Sequence, residues 1–155
     1  MVIIQYLLEN SVHHIDDEPA LANMLTTIVL PCIQHENADI RDYAIKALGL
    51  FSLLSFEEAK NRLPLLLEAF KNDEEEIKLT ATTALFDIIL VFGKYLQAQP
   101  SEESTTVVTF ETVVSQLKPL LAHEIPEFRT AAAEGFSKLF INNVCTDTKV
   151  ISSNR

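Results

Sequence analysis

Three basic residues stand at matching places in three stretches of this chain. Arg41, Lys78 and Arg129 each follow an acidic and an apolar residue, in Asp39-Ile40-Arg41, Glu76-Ile77-Lys78 and Glu127-Phe128-Arg129. A carboxylate stands five positions before each of them, at Glu36, Asp73 and Glu124. Cations at such intervals can do two kinds of chemistry. They can neutralise phosphates along a nucleic acid, or they can pair with carboxylates of a neighbouring segment. The formal net charge is −10, and non-specific phosphate binding needs a basic surface. We therefore read Glu36, Arg41, Asp73, Lys78, Glu124 and Arg129 as a ladder, in which the carboxylate of one turn meets the base of the adjacent repeat.

The remaining candidates carry less. His13-His14-Ile15-Asp16-Asp17 contains metal-ligand types, but no further ligand cluster accompanies them. The segment reads as a polar turn before a helix that opens at Glu18-Pro19, with proline at its first position. Ser101 and Ser104 flank Glu102-Glu103 and are candidate sites for an acidophilic kinase, within what otherwise reads as a solvated loop. No serine or threonine precedes a proline, so proline-directed kinases have no site. The run Glu74-Glu75-Glu76 reads as the first turn of a helix, where the dipole favours carboxylates. There is no nucleophile elbow, P-loop, dinucleotide fingerprint or His-Glu-x-x-His pair. Three glycines do not make a phosphate cradle. The chain is read as a non-enzyme with no cofactor and no metal.

The elements that position these residues follow from the same register. Three positions after each base lies Ala44, Ala81 or Ala132, and six after it Ala47, Ala84 or Gly135. Large apolar residues follow at Leu48, Leu85 and Phe136, then at Phe51, Ile88 and Leu139. This spacing is one face of a helix. The small residues admit a neighbouring helix and the large ones fill the space between. Upstream lies a second apolar pair in each case, Val29 and Ile33, Leu66 and Phe70, Leu117 and Leu121. The turns between are His35-Glu36-Asn37, Asn72-Asp73-Glu74 and His123-Glu124-Ile125. The unit is helix, turn, helix, three times over. From Arg41 to Lys78 is 37 positions, near a HEAT-type period, and from Lys78 to Arg129 is 51, which requires an insertion.

The expected fold is all-α, a HEAT-type α-solenoid of stacked antiparallel helix pairs. Residues 1–18 are expected to be the end of a preceding repeat and a connector, with Val2 to Leu8 apolar and uncapped, as in a piece of a longer array. Repeats follow over 19–54, 55–94 and 110–142, a polar insertion loop over 95–109, and a frayed tail or connector over 143–155. Expected helices run from Pro19 to Gln34, Ala38 to Leu54, Ser55 to Lys71, Asn72 to Gly93, Phe110 to Leu121 and Pro126 to Asn142. Ser55 and Glu58 form a capping box, Asn72-Asp73 cap the fourth helix, and Gly93 is a left-handed C-cap for it. The second helix of each of the first two pairs is apolar on more than one side, as stacking between repeats requires. Cys32 and Cys145 form no motif. Cys32 reads as a reduced core residue, which fits a cytosolic or nuclear setting. No signal peptide is visible, and no apolar run long enough to span a bilayer.

Ile40-Arg41, Ala44, Leu48-Gly49-Leu50 and Leu53-Leu54, then Ala59, Leu65-Leu66, Leu85-Phe86-Asp87 and Phe92-Gly93 resemble the C-terminal HEAT region of the condensin G subunit (condensin complex subunit 3). The match is best from Ile40 to Gly93 and weaker on either side. Ala47-Leu48-Gly49 is shared by HEAT units generally. The combination with Phe86-Asp87 and Phe92-Gly93 is more particular. The resemblance implies a non-catalytic subunit of a chromosome-condensing complex, in the nucleus and on chromosomes with a cytoplasmic pool, active in mitosis. It implies binding to the kleisin subunit, an indirect link to the SMC subunits that hold the ATPase, and DNA contact through the whole complex. The acidity of this piece argues against its forming the DNA groove, and no membrane is implied. A kleisin contact is expected on exposed positions of the second helices, which line the concave side of such arrays. The alternatives are another HEAT adaptor, such as a transport receptor or phosphatase scaffold, and an enzyme.

Overall fold

The computed structural model describes residues 19–98 and 108–145. Among these, every regular element is a helix, as the all-α reading expects. Helix α1 is Pro19–Cys32, α2 is Ala38–Ser52, α3 is Phe56–Asn72 and α4 is Glu75–Ala98. Helix α5 is Phe110–Leu117, and a 3-10 turn, Lys118–Ala122, extends it. Helix α6 is Pro126–Ile141. Helix α1 pairs with α2 and α3 with α4, and in the third hairpin the 3-10 turn that extends α5 packs on α6. The readings for residues 1–18, including His13-His14, and for Ser101 and Ser104 lie outside the described residues.

The pairs stack through one layer. Helix α4 packs directly on both α2 and α6, whereas α1, α3 and α5 make at most slight contact with one another. Helices α2, α4 and α6 thus form the layer through which the hairpins stack. Small residues permit that stacking. A Cβ at Gly49 would lie 2.8 Å from that of Ala84, and one at Gly135 would lie 2.3 Å from Cγ of Phe86. A continuous core runs through the stack, with Ile45, Leu48 and Phe51 of α2, Leu85, Ile88 and Ile89 of α4, and Leu139 of α6 all completely buried. Burying such a side chain is worth about 1.5–3 kcal/mol, so stacking holds the array together more than helix propensity does.

Local chemistry sets the ends. Asn37 caps α2 by accepting the N–H groups of Asp39 and Ile40 at 2.8 and 3.3 Å. Thr109 caps α5, its hydroxyl accepting the Thr112 N–H at 3.2 Å. Ser55 caps α3, accepting the Glu58 N–H at 3.1 Å. The expected return bond from Glu58 is corrected: its carboxylate instead takes the Nε–H of Arg62, one turn on, at 3.1 Å. Ser55→Ala is expected to lower unfolding stability by about 1 kcal/mol, read by urea denaturation. Inside α1 the ladder widens to a π turn over Leu25–Val29. Pro31 has no N–H to give the Thr27 carbonyl, and the hydroxyls of Thr26 and Thr27 bond back to the Ala22 and Asn23 carbonyls. Cys32 is half-buried and unpaired, less enclosed than a core residue.

Three further expectations are corrected. Gly93 does not end α4, and no glycine among the described residues has a positive φ. It is buried within the helix because other groups crowd it, and a Cβ there would stand 2.6 Å from Val144 Cγ1 and 3.1 Å from Phe110. Helix α4 therefore reaches Ala98, and its mean hydropathy of 1.5 over a membrane-length window meets the requirement for a bilayer span. Its contacts with α2, α3, α5 and α6 identify it as the central core helix. The tail is not free at its start. Asn143, at φ 53°, tolerates the left-handed conformation and closes α6 in a Schellman turn, with Val144 N–H on the Leu139 carbonyl at 3.0 Å. Val144 and Cys145 are buried, and Gln97 Nε2 donates to the Val144 carbonyl at 2.9 Å.

Candidate functional site

The regularly spaced charges sit at the turns. Arg41 is the most engaged. Its Nη1 donates to the carbonyls of His35 and Glu36 in its own turn, at 2.9 and 3.0 Å. Its Nε and Nη2 reach the next turn, both donating to Asp73 Oδ1 at 3.1 and 3.0 Å, with Glu74 Oε1 at 2.9 Å from Nη2. The hydrogen bonds it donates to Asp73 and, less strongly, to Glu74 raise the guanidinium pKa further against the opposing effect of desolvation. Asp73 also accepts the Glu74 N–H at 2.9 Å. Asn72, expected to help cap α4, is instead the last residue of α3 and donates to Glu68 at 2.7 Å. Arg129 clasps the His123 and Glu124 carbonyls at 2.7 and 2.9 Å. Lys78 forms no ion pair among the described residues.

The shared geometry is thus a fork holding two carbonyls five and six residues upstream. Sequence spacing suggested a carboxylate partner and did not reveal the carbonyls. Only arginine has the planar fork for this. The single ammonium of Lys78 does not reproduce it. The two arginine turns also share a histidine whose Nδ1 accepts a backbone N–H two residues on, His35 from Asn37 at 3.0 Å and His123 from Ile125 at 3.2 Å. Lys78→Arg is expected to acquire the clasp on the Asn72 and Asp73 carbonyls and raise the urea midpoint. Lys78→Gln is expected not to raise it.

A different group of residues forms the accessible face of α2, α4 and α6. Asp42, 8% exposed, ties α2 to α4 by accepting the Thr80 hydroxyl at 2.5 Å, and within α2 it accepts the Lys46 ammonium at 2.5 Å. Beside this network a depression is lined by Gly49, Leu50, Thr83, Ala84 and Asp87. A narrow cleft of about 70 Å³ between α4 and α6 lies next to it, with Phe86, Leu90 and Gly135 as apolar lining and Asp87, Glu134 and Lys138 as charged lining. A third, shallower depression extends past Thr83 and Glu134 to Glu127 and Pro126. Thr83 lines all three and Asp87 two of them, so the depressions run together along one face.

Asp87 stands out there. Burial raises its pKa, the nearby Glu134 reinforces the rise and Lys138 opposes it. It has no hydrogen bond or ion pair among the described residues, because Lys138 is held by Glu134 at 2.7 Å. Sequence reading passed over its charge, although it is the sole ionisable residue between Lys78 and Lys94 in an apolar helix. A carboxyl whose folded pKa is raised destabilises the fold above that pKa, and the penalty vanishes as the pH falls through it. Asp87→Asn is therefore expected to raise the urea midpoint near neutral pH. The gain should shrink as the pH is lowered through the carboxylate range.

No group of three or more metal-ligating side chains occurs among the described residues. The cleft is far below the roughly 300–1,000 Å³ of a small-molecule site, and the wider depressions beside it are open and shallow. Stacked hairpins with a grooved α2–α4–α6 face define a helical-repeat scaffold. Comparison with known proteins makes that class particular. The family model for nuclear condensing complex subunits, C-terminal domain, matches residues 1–153, and the chain belongs to that family. It is 28% identical over 148 residues to condensin complex subunit 3 of Homo sapiens, covering 83% of this chain and 15% of that protein. To condensin complex subunit 3 of Saccharomyces cerevisiae it is 28% identical over 149 residues, covering 92% of this chain and 13% of that one. The crystal structure of the Schizosaccharomyces pombe condensin Cnd3–Cnd2 subcomplex has the same fold, with a TM-score of 0.72 at 24% identity over 89% of this chain and 17% of that one. The chain thus spans about 15% of the human relative's length.

Proposed function

We propose that this chain is a non-catalytic scaffold segment of a condensin subunit 3, and that its α2–α4–α6 face binds a stretch of the kleisin subunit in support of mitotic chromosome condensation. The family match across residues 1–153 carries the reading. Supporting it, the relative of like fold was solved as a two-subunit condensin subcomplex, and the α2–α4–α6 face here is grooved and apolar-floored. The SMC subunits connect to this segment only indirectly. DNA is held by the whole complex and not by this piece, whose formal charge is −10. The protein works in the nucleus and on chromosomes, with a cytoplasmic pool. The Arg41–Asp73 contact serves stacking between the first two hairpins.

The test is co-purification of the chain with a panel of kleisin fragments, with and without DNA. At least one fragment is expected to co-elute without DNA. Failure of every fragment to bind would leave a generic helical scaffold in place of this reading.

A further inference from the structure

The cleft between α4 and α6 is too small for a metabolite and has the size of a few side-chain atoms. Its lining is apolar along the stem, through Phe86 and Leu90, and acidic at the mouth. Charged groups facing it from α6 are Glu134 and Lys138, and Glu127 lines the adjoining depression. From α4 comes Asp87. On the α2 side, Lys46 is taken up by Asp42. The three carboxylates around the cleft are opposed by one ammonium, already paired with Glu134. Asp87 is left half-buried without a cation of its own.

We infer that this cleft takes a lysine or arginine side chain of the partner polypeptide, its aliphatic stem on Phe86 and Leu90 and its cationic head on Asp87 and Glu134. This rests on the kleisin reading and adds to it the chemistry of one contact. Long basic side chains lay their methylenes on apolar surface while the head keeps polar company. A cation here adds to the partial compensation that Lys138 gives Asp87 from a distance, so the complementarity is completed in the bound state. Lys138 is the internal competitor, since rotation away from Glu134 would bring its ammonium toward Asp87.

The test uses overlapping synthetic peptides tiled along the kleisin subunit, titrated into the whole chain by fluorescence anisotropy. A basic tile is expected to bind, and Asp87→Asn to weaken it about ten-fold. Lys138→Gln, which removes the competitor, is expected to tighten it. Replacing the tile's basic residue by glutamate should abolish binding. Asp87→Asn keeps the fold, so a loss of affinity cannot be ascribed to unfolding, and circular dichroism checks this. Unchanged affinity in Asp87→Asn would overturn the inference while leaving the kleisin reading intact. Binding confined to tiles without lysine or arginine would do the same. If no tile and no longer fragment binds, both readings fall together.

Discussion

Gly135→Val will loosen α6 from α4 and cost the chain a large part of its stability. The position faces the ring of Phe86 so closely that even one Cβ would stand 2.3–2.5 Å from three ring atoms. Phe86 cannot withdraw freely, because it is 4% exposed and packs edge-on against Phe136, with centroids 5.1 Å apart at 81°. Overpacking of this kind costs about 1–3 kcal/mol for a small increment. Alanine recovers about 1 kcal/mol of helix propensity relative to glycine, so Gly135→Ala should show a smaller net loss than valine. Valine adds two more methyls and a β-branch, and should separate the third hairpin from the stack. Phe86→Leu should partly rescue Gly135→Ala, since the two side chains contend for one space and their effects will not add. Urea denaturation of the two single variants and the double variant reads all three quantities. Additive losses would show that Phe86 is not what confines this glycine.

Phe51→Ala is expected to lose about 3–5 kcal/mol, the range for removing a buried aromatic ring. Phe51 is completely buried in the common core, near the end of α2. Domains have about 5–15 kcal/mol in all, so this variant should stand close to unfolded at modest urea. Ile28→Ala is the control. Ile28 is 41% exposed, and substitutions at such sites usually stay within about 0.5 kcal/mol. Equal losses at the two positions would contradict the stacked core. Because each hairpin touches only its neighbours, loss at Phe51 should also reach the α3–α4 hairpin before the α5–α6 hairpin.

Much of this fold was legible in the sequence because a helical array repeats its physics. Ala47, Ala84 and Gly135 were readable as approach points, since a small residue recurs at one register position. Leu48, Leu85 and Phe136 were readable as fillers, since a large one follows each. The family resemblance drawn from Leu48-Gly49-Leu50 and Phe86-Asp87 is borne out by the match over residues 1–153.

What was not legible depends on partners distant in sequence. Gly93 carries the local signature of a helix end, and only the return of Val144 and Phe110 across it shows that it is an approach point. The apolar length of α4 was missed for the same reason. Arg41, Lys78 and Arg129 looked equivalent by spacing, but clasping two carbonyls needs a fork that lysine lacks. Asp87 could have been singled out as the lone charge between Lys78 and Lys94. Its exposure to a cleft depends on Gly135 bringing α6 close, which spacing alone does not reveal.

A kleisin segment is proposed to lie on the α2–α4–α6 face. Site-directed photocrosslinking tests this most directly, with a photoreactive side chain placed at Thr83, which lines all three depressions of that face. A matched probe goes at Asn61 on α3, exposed in the other layer. With a bound kleisin fragment, crosslinks are expected at Thr83 and not at Asn61. Crosslinks at Asn61 with none at Thr83 would contradict the account.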